Sequence, residues 1–168
     1  DASSLSGTGI KNGSLTINGG SVDASSQSGT GIENDSLTIN GGSVKAFSTS
    51  GTGIKSNSLT IENGSVKASS VSSAPTNDQG EKVYCCTIEN PENANVTIKT
   101  GTGSRVWDWK PVNHSSLDPD DTNLYVWLPK PEDASENSYY TITLKPETSS
   151  GFRTRNYSFD TDTKTFKT

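Results

Sequence analysis

What the chain lacks narrows its function before any motif is read. It has no methionine, one histidine and two cysteines that are neighbours. The single His114, in Val-Asn-His-Ser-Ser-Leu-Asp, has no nucleophile elbow or other positioned serine to serve, so a Ser-His-Asp triad is not supported and a solvated loop histidine is expected. No Cys-x-x-Cys spacing points to metal or redox chemistry. No apolar run approaches the ~18 residues of a membrane-spanning helix. Fourteen basic side chains against 19 acidic ones give a net charge of -5, with no basic face for a nucleic-acid backbone. Hydrophobic residues make up only 28% of the chain, a scarcity that usually marks disorder. A strict apolar period argues against disorder here.

That period is 22 residues. "SGTGIKNGSLTINGGSV" at Ser6 returns at Ser28 as "SGTGIENDSLTINGGSV" and at Ser50 as "SGTGIKSNSLTIENGSV". Ile10, Ile32 and Ile54 align, as do Leu15, Leu37 and Leu59, then Val22, Val44 and Val66. Leu-Thr-Ile and Val-x-Ala alternate apolar and polar, the period of a strand with one buried face. Between them stand Asn-Gly, Gly-Gly and Asn-Asp, residues that accept positive φ in turns. Gly20, Gly42 and Gly64 are expected at corners where a side chain would clash. One such unit cannot bury its apolar side alone, but stacked units can. The repeats therefore predict a right-handed parallel β-solenoid with one coil per 22 residues. Lys11, Glu33 and Lys55 fall in one column of alternating sign, whereas Lys45 and Lys67 meet as like charges. Asp1-Ala2-Ser3-Ser4 matches Asp23-Ala24-Ser25-Ser26, so further repeats are expected upstream in a longer, multi-module parent.

The repeat ends near residue 72. Residues 73–80 read as a linker or capping loop, and residues 81–168 as a second domain, a small antiparallel β-sandwich. All three Trp, all five Tyr and both Cys lie in that second part. Strand-like runs fall at 83–88, 95–99, 105–109, 123–128, 139–144, 156–159 and 164–166. A globular domain there would cover the open strand edges of the last coil.

"GSLTINGGSV" and "GTGI" resemble the repeats of modular surface proteins of Gram-positive, often gut-dwelling, bacteria, some of them described as containing carbohydrate-binding domains. "DPDDTNLYVWLPKPEDASENSYYTITL", from Asp118 to Leu144, is similar to the segment that often follows the solenoid in them. The resemblance implies an extracellular, surface-linked protein of adhesin type and implies no catalytic residues. Cys85-Cys86 departs from the pattern. The second domain also resembles wall-protein domains that carry a Lys–Asn isopeptide bond, with the pair of residues left open.

Three candidate chemistries remain. Trp107 and Trp109 flank Asp108, and alternation puts both indoles on one face; with Tyr125, Arg105 and Asn113 they could form an aromatic sugar platform, or they could simply fill a core. Asp118, Asp120, Asp121 and Asn123 offer closely spaced oxygens of the kind Ca²⁺ prefers, and Asp160 and Asp162 do likewise, although both stretches also read as turns. Cys85 and Cys86 on a strand point to opposite faces, so two reduced thiols fit better than a vicinal disulfide, which needs a distorted turn. A ladder of Ser14, Ser36 and Ser58 beside Thr16, Thr38 and Thr60 has the pattern of an ice-binding face and equally of any solvated Thr-rich strand. The expectation is a non-catalytic stalk, adhesion or display module without a cofactor. A carbohydrate-binding module is the alternative, its partner a glycan or host-surface ligand.

Overall fold

The computed structural model describes residues 1–101, 103–111, 120–131, 139–147 and 151–168. Its first half is a parallel β-solenoid. Strands β1 (Ala2–Ser4), β3 (Ser21–Ser26), β5 (Ser43–Ser48) and β7 (Ser65–Ala68) form one parallel sheet, and β2 (Thr8–Ile17), β4 (Thr30–Ile39) and β6 (Thr52–Ile61) form another. The register equals the repeat: Ile10 faces Ile32 and Ile32 faces Ile54, with Leu, Ile and Val columns following in step. These columns are the core. Ile32, Leu37, Ile39, Val44, Ile54, Leu59, Ile61 and Val66 are buried.

Two devices turn the corners. Gly20, Gly42 and Gly64 take φ of +74°, +86° and +93°, the left-handed region that other residues enter only with strain. At the other corner each coil is fastened to the one before it by a serine. Ser26 Oγ accepts from Gly29 N–H at 2.8 Å and donates to the Gly7 carbonyl at 2.7 Å. Ser48 does the same with Gly51 and Gly29. Both serines are buried. The coils approach so closely there that a Cβ on Gly51 would lie 1.9 Å from the Gly29 carbonyl oxygen. Ser and Gly in the repeat are thus structural components rather than loop filler.

The stretch expected as linker or cap lies on the last coil. Val71 and Thr76 bridge in parallel to Ile54 and Thr60, and Ile61 N–H donates to the Thr76 carbonyl at 2.8 Å. Beyond it all strands pair antiparallel, as expected. Strands β8 (Val83–Glu89) and β11 (Asn123–Pro129) make a ribbon. Strands β9 (Asn95–Thr100), β10 (Arg105–Trp109), β12 (Tyr139–Lys145), β13 (Arg153–Asp160) and β14 (Thr165–Lys167) make a five-stranded sheet in the order β10-β9-β12-β13-β14. Ile88, Val96, Ile98, Val126 and Ile142 form the centre of the core that both sheets share.

Strand β11 serves two cores at once. Leu124, Val126 and Leu128 point into the C-terminal core, while Tyr125 and Trp127 face the last coil. The Trp127 indole packs on the solenoid core beside Val83, and its Nε1–H donates to the Val66 carbonyl at 2.9 Å. Tyr125 N–H donates to Ser65 Oγ at 2.9 Å. The strand edge at the end of the solenoid is thereby covered by backbone and side-chain partners.

Candidate functional site

The aromatic platform expected on β10 is overturned. Trp107 and Trp109 do share a face, their rings parallel within 6° and their centroids 6.1 Å apart, but that face is the core. They are 3% and 4% exposed. The physical reason is volume: a small domain poor in large apolar side chains needs both indoles to fill its interior. Asp108 projects to the opposite face, where its carboxylate accepts from Thr97 Oγ1 and Arg105 Nη1, each at 3.1 Å. The polar and aromatic members of the expected site therefore diverge, because alternate strand residues point to opposite sides. Asn113 and His114 lie outside the described residues.

The acidic turn expected to offer calcium ligands is described only in part. Asp118 lies outside the described residues and Asp120 is exposed. Asp121 is already committed. One carboxylate oxygen accepts from Lys67 Nζ and, at 2.7 Å, from the Tyr125 hydroxyl; the other accepts from Asn123 N–H at 3.0 Å. A divalent ion would have to displace an ammonium, and no cluster of three ionisable ligands exists among the described residues. Asp160 and Asp162 do not converge either. Asp160 receives the N–H groups of Asp162 and Thr163 and pairs with Lys167, which makes it a turn cap. Cys85 and Cys86 are free thiols on opposite faces of β8. Burial pushes their pKa values up to about 11 and about 12, so neither is a nucleophile at neutral pH.

Parts of both expected sites instead meet at the junction of solenoid and C-terminal module. Trp109, Asn90, Asp121, Asn123 and Tyr125 line a cavity of about 220 Å³, with Lys67 and Ser65 contributed by β7. Asn90 is held rigidly by two bonds with the Ala94 backbone. Burial raises the Asp121 carboxyl, but the bonds from Lys67, Tyr125 and Asn123 outweigh it and hold the group down at about 2. Burial and the bond to Asp121 push the Tyr125 phenol up, so it stays neutral. Lys67 Nζ also sits 5.4 Å from the Tyr125 ring centroid, a cation–π contact. The cavity thus offers a fixed ion pair, a phenol and amides, which can bind a small polar group but pair no nucleophile with a base.

Sequence reasoning missed Lys67, which lies 54 residues from its partner. One signal was available. Lys67 breaks the sign alternation of its column, and its counter-charge comes from the module instead of the next coil. Comparison with protein-family models, with curated proteins and with solved structures finds no match to this chain.

Proposed function

We propose that this chain is a non-catalytic module of a bacterial cell-surface protein, in which the solenoid is a stiff spacer or display surface and the C-terminal module closes its end. The observation that carries this reading is the shared strand β11. Its Trp127 packs on the solenoid core and its Val126 lies within the C-terminal core, so force or orientation imposed on one half passes to the other without a free linker. The extracellular setting rests on the resemblance of the LTINGG repeats to adhesin-type surface proteins. The test is a panel of glycans and chromogenic glycosides presented to the whole chain. The expected result is neither turnover nor saturable binding, and turnover of any substrate overturns the reading.

A second reading, carbohydrate binding, is favoured by one observation: Trp109, Tyr125, Asp121 and Asn123 line one cavity. Its volume suits a single sugar ring better than an oligosaccharide. Here the same panel gives saturable binding that Tyr125→Ala abolishes while Trp107→Phe, whose indole lies in the core, leaves it intact.

A further inference from the structure

The outward columns of the solenoid repeat as its core does, so a position that breaks its column stands out. Phe47 breaks one. The residues one period before and after it are Ser25 and Ser69, and Ser25 faces Phe47 in the register of β3 on β5. Phe47 is 44% exposed and belongs to neither hydrophobic core. Serine at both neighbouring positions shows that the coil needs no ring there. A single exposed apolar side chain is ordinary on a protein surface. What sets Phe47 apart is its place.

Alternation along β5 puts Val44 and Ala46 in the core and Ser43, Lys45 and Phe47 on the outward face. Ser43 is nevertheless buried, as is Ser65 beside it on β7, and both line the junction cavity. The C-terminal module therefore roofs the start of β5 and β7. Lys45 stands in the cavity wall. Phe47 follows it by one two-residue step, roughly 7 Å along the strand, beyond that roof. On the module side the cavity is backed by Trp109 and Asn90, both buried. The cavity is thus closed behind, and in front it continues over Lys45 to an exposed aromatic ring.

We infer that Phe47 is a second subsite for a glycan chain, a platform for the ring next to the one held in the cavity. The inference rests on the carbohydrate-binding reading of that cavity. The C–H bonds on one side of a pyranose are apolar and carry partial positive charge, and they pack on the negative face of an aromatic ring. Phe47 supplies such a face, and the Ser25 hydroxyl lies beside it in register for the sugar's polar rim. The cavity alone holds one ring. Cavity and platform together select a chain of two or more rings, seated by its end and laid along β5. A protein partner would need about 800 Å² on each side, which one ring between serines does not begin to offer.

The test is calorimetric titration of the whole chain with paired sugars: glucose with cellobiose, galactose with galactobiose, mannose with mannobiose, and N-acetylglucosamine with chitobiose. The expected result is one pair in which the disaccharide binds about tenfold more tightly than its monosaccharide, the worth of one stacked contact. Phe47→Ser should erase that gain and leave the monosaccharide affinity unchanged, whereas Phe47→Trp should keep it. Because serine stands at this place in both neighbouring coils, Phe47→Ser keeps the fold, which thermal unfolding checks. If no disaccharide gains over its monosaccharide, or the gain survives in Phe47→Ser, the platform is overturned while sugar binding in the cavity stands. If folded Phe47→Ser loses both sugars alike, the ring acts on the cavity itself and the second subsite is overturned. If no sugar binds at all, the carbohydrate-binding reading falls and the platform falls with it.

Discussion

Replacing Trp127 by alanine measures how firmly the two halves of the chain are joined. Its indole is half-buried on the solenoid core and its Nε1–H holds the Val66 carbonyl. Full truncation of a core tryptophan costs about 3–5 kcal/mol, and a half-buried one about 2–3 kcal/mol. Trp127→Phe keeps much of the ring contact and removes the donor, leaving a largely buried carbonyl short of a partner at about 1 kcal/mol. The assay is urea unfolding with amide exchange read separately in the coils and in the five-stranded sheet. Solenoid stability is close to a sum of coil and interface contributions, so the loss should be local. Strand β7 and Thr76 should exchange early in Trp127→Ala, with β4 and the first coil little changed. The reasoning is refuted if Trp127→Ala leaves the exchange of β6 and β7 as it was. The module would then cover the solenoid without stabilising it, and the proposal of a continuous spacer would lose its basis.

Gly51→Ala should unfold the array near its third coil, because the new methyl meets the Gly29 carbonyl, whereas Gly19→Ala, with nothing within 4 Å, should shift thermal unfolding little. Acid should weaken the junction through Asp121. Its carboxyl is lowered to about 2 in the fold against an ordinary value near 4, so the stability it confers is complete above about pH 4 and is lost as pH falls towards 2. Acid titrations of the native chain and of Asp121→Asn, followed by circular dichroism, should therefore differ at neutral pH and converge near pH 2. Both thiols should resist iodoacetamide at pH 8 in the fold and react fully in urea, where their pKa returns to about 8.5, and the intact mass should show two free thiols.

The sequence carried much of the fold because both of its periods are visible in one dimension. The 22-residue step named the coil, and the register of Ile10 on Ile32 is that step made physical. Alternation along β11 sets Leu124, Val126 and Leu128 on one face and Tyr125 and Trp127 on the other. It could not say what covers each face, so the solenoid core as the destination of Trp127 stayed hidden. The same gap explains the misplaced platform. Alternation put Trp107 and Trp109 together, but whether their face meets solvent or a second sheet depends on long-range pairings such as that of β9 with β12, which joins Thr100 to Tyr140 and Asn95 to Lys145. The acidic turn shows the same limit of local spacing. Close spacing in sequence suggested a cation, and the cation that Asp121 holds is a lysine from the other half of the chain.

Near-identical repeats carry a hazard of their own during folding. A coil can dock on the wrong sibling as readily as on its neighbour, since the apolar columns match at any multiple of the step. The charged column distinguishes the two. In the native stack Glu33 lies between Lys11 and Lys55, 3.6 Å and 3.3 Å from their ammonium groups. A chain that skipped its middle coil would set Lys11 directly against Lys55, and like charges facing each other across strands repel. Each such pair is weak at the surface. Its worth lies in proofreading: three side chains on solvent make the skipped assembly the less favourable one and so help the coils stack in the order in which they are written.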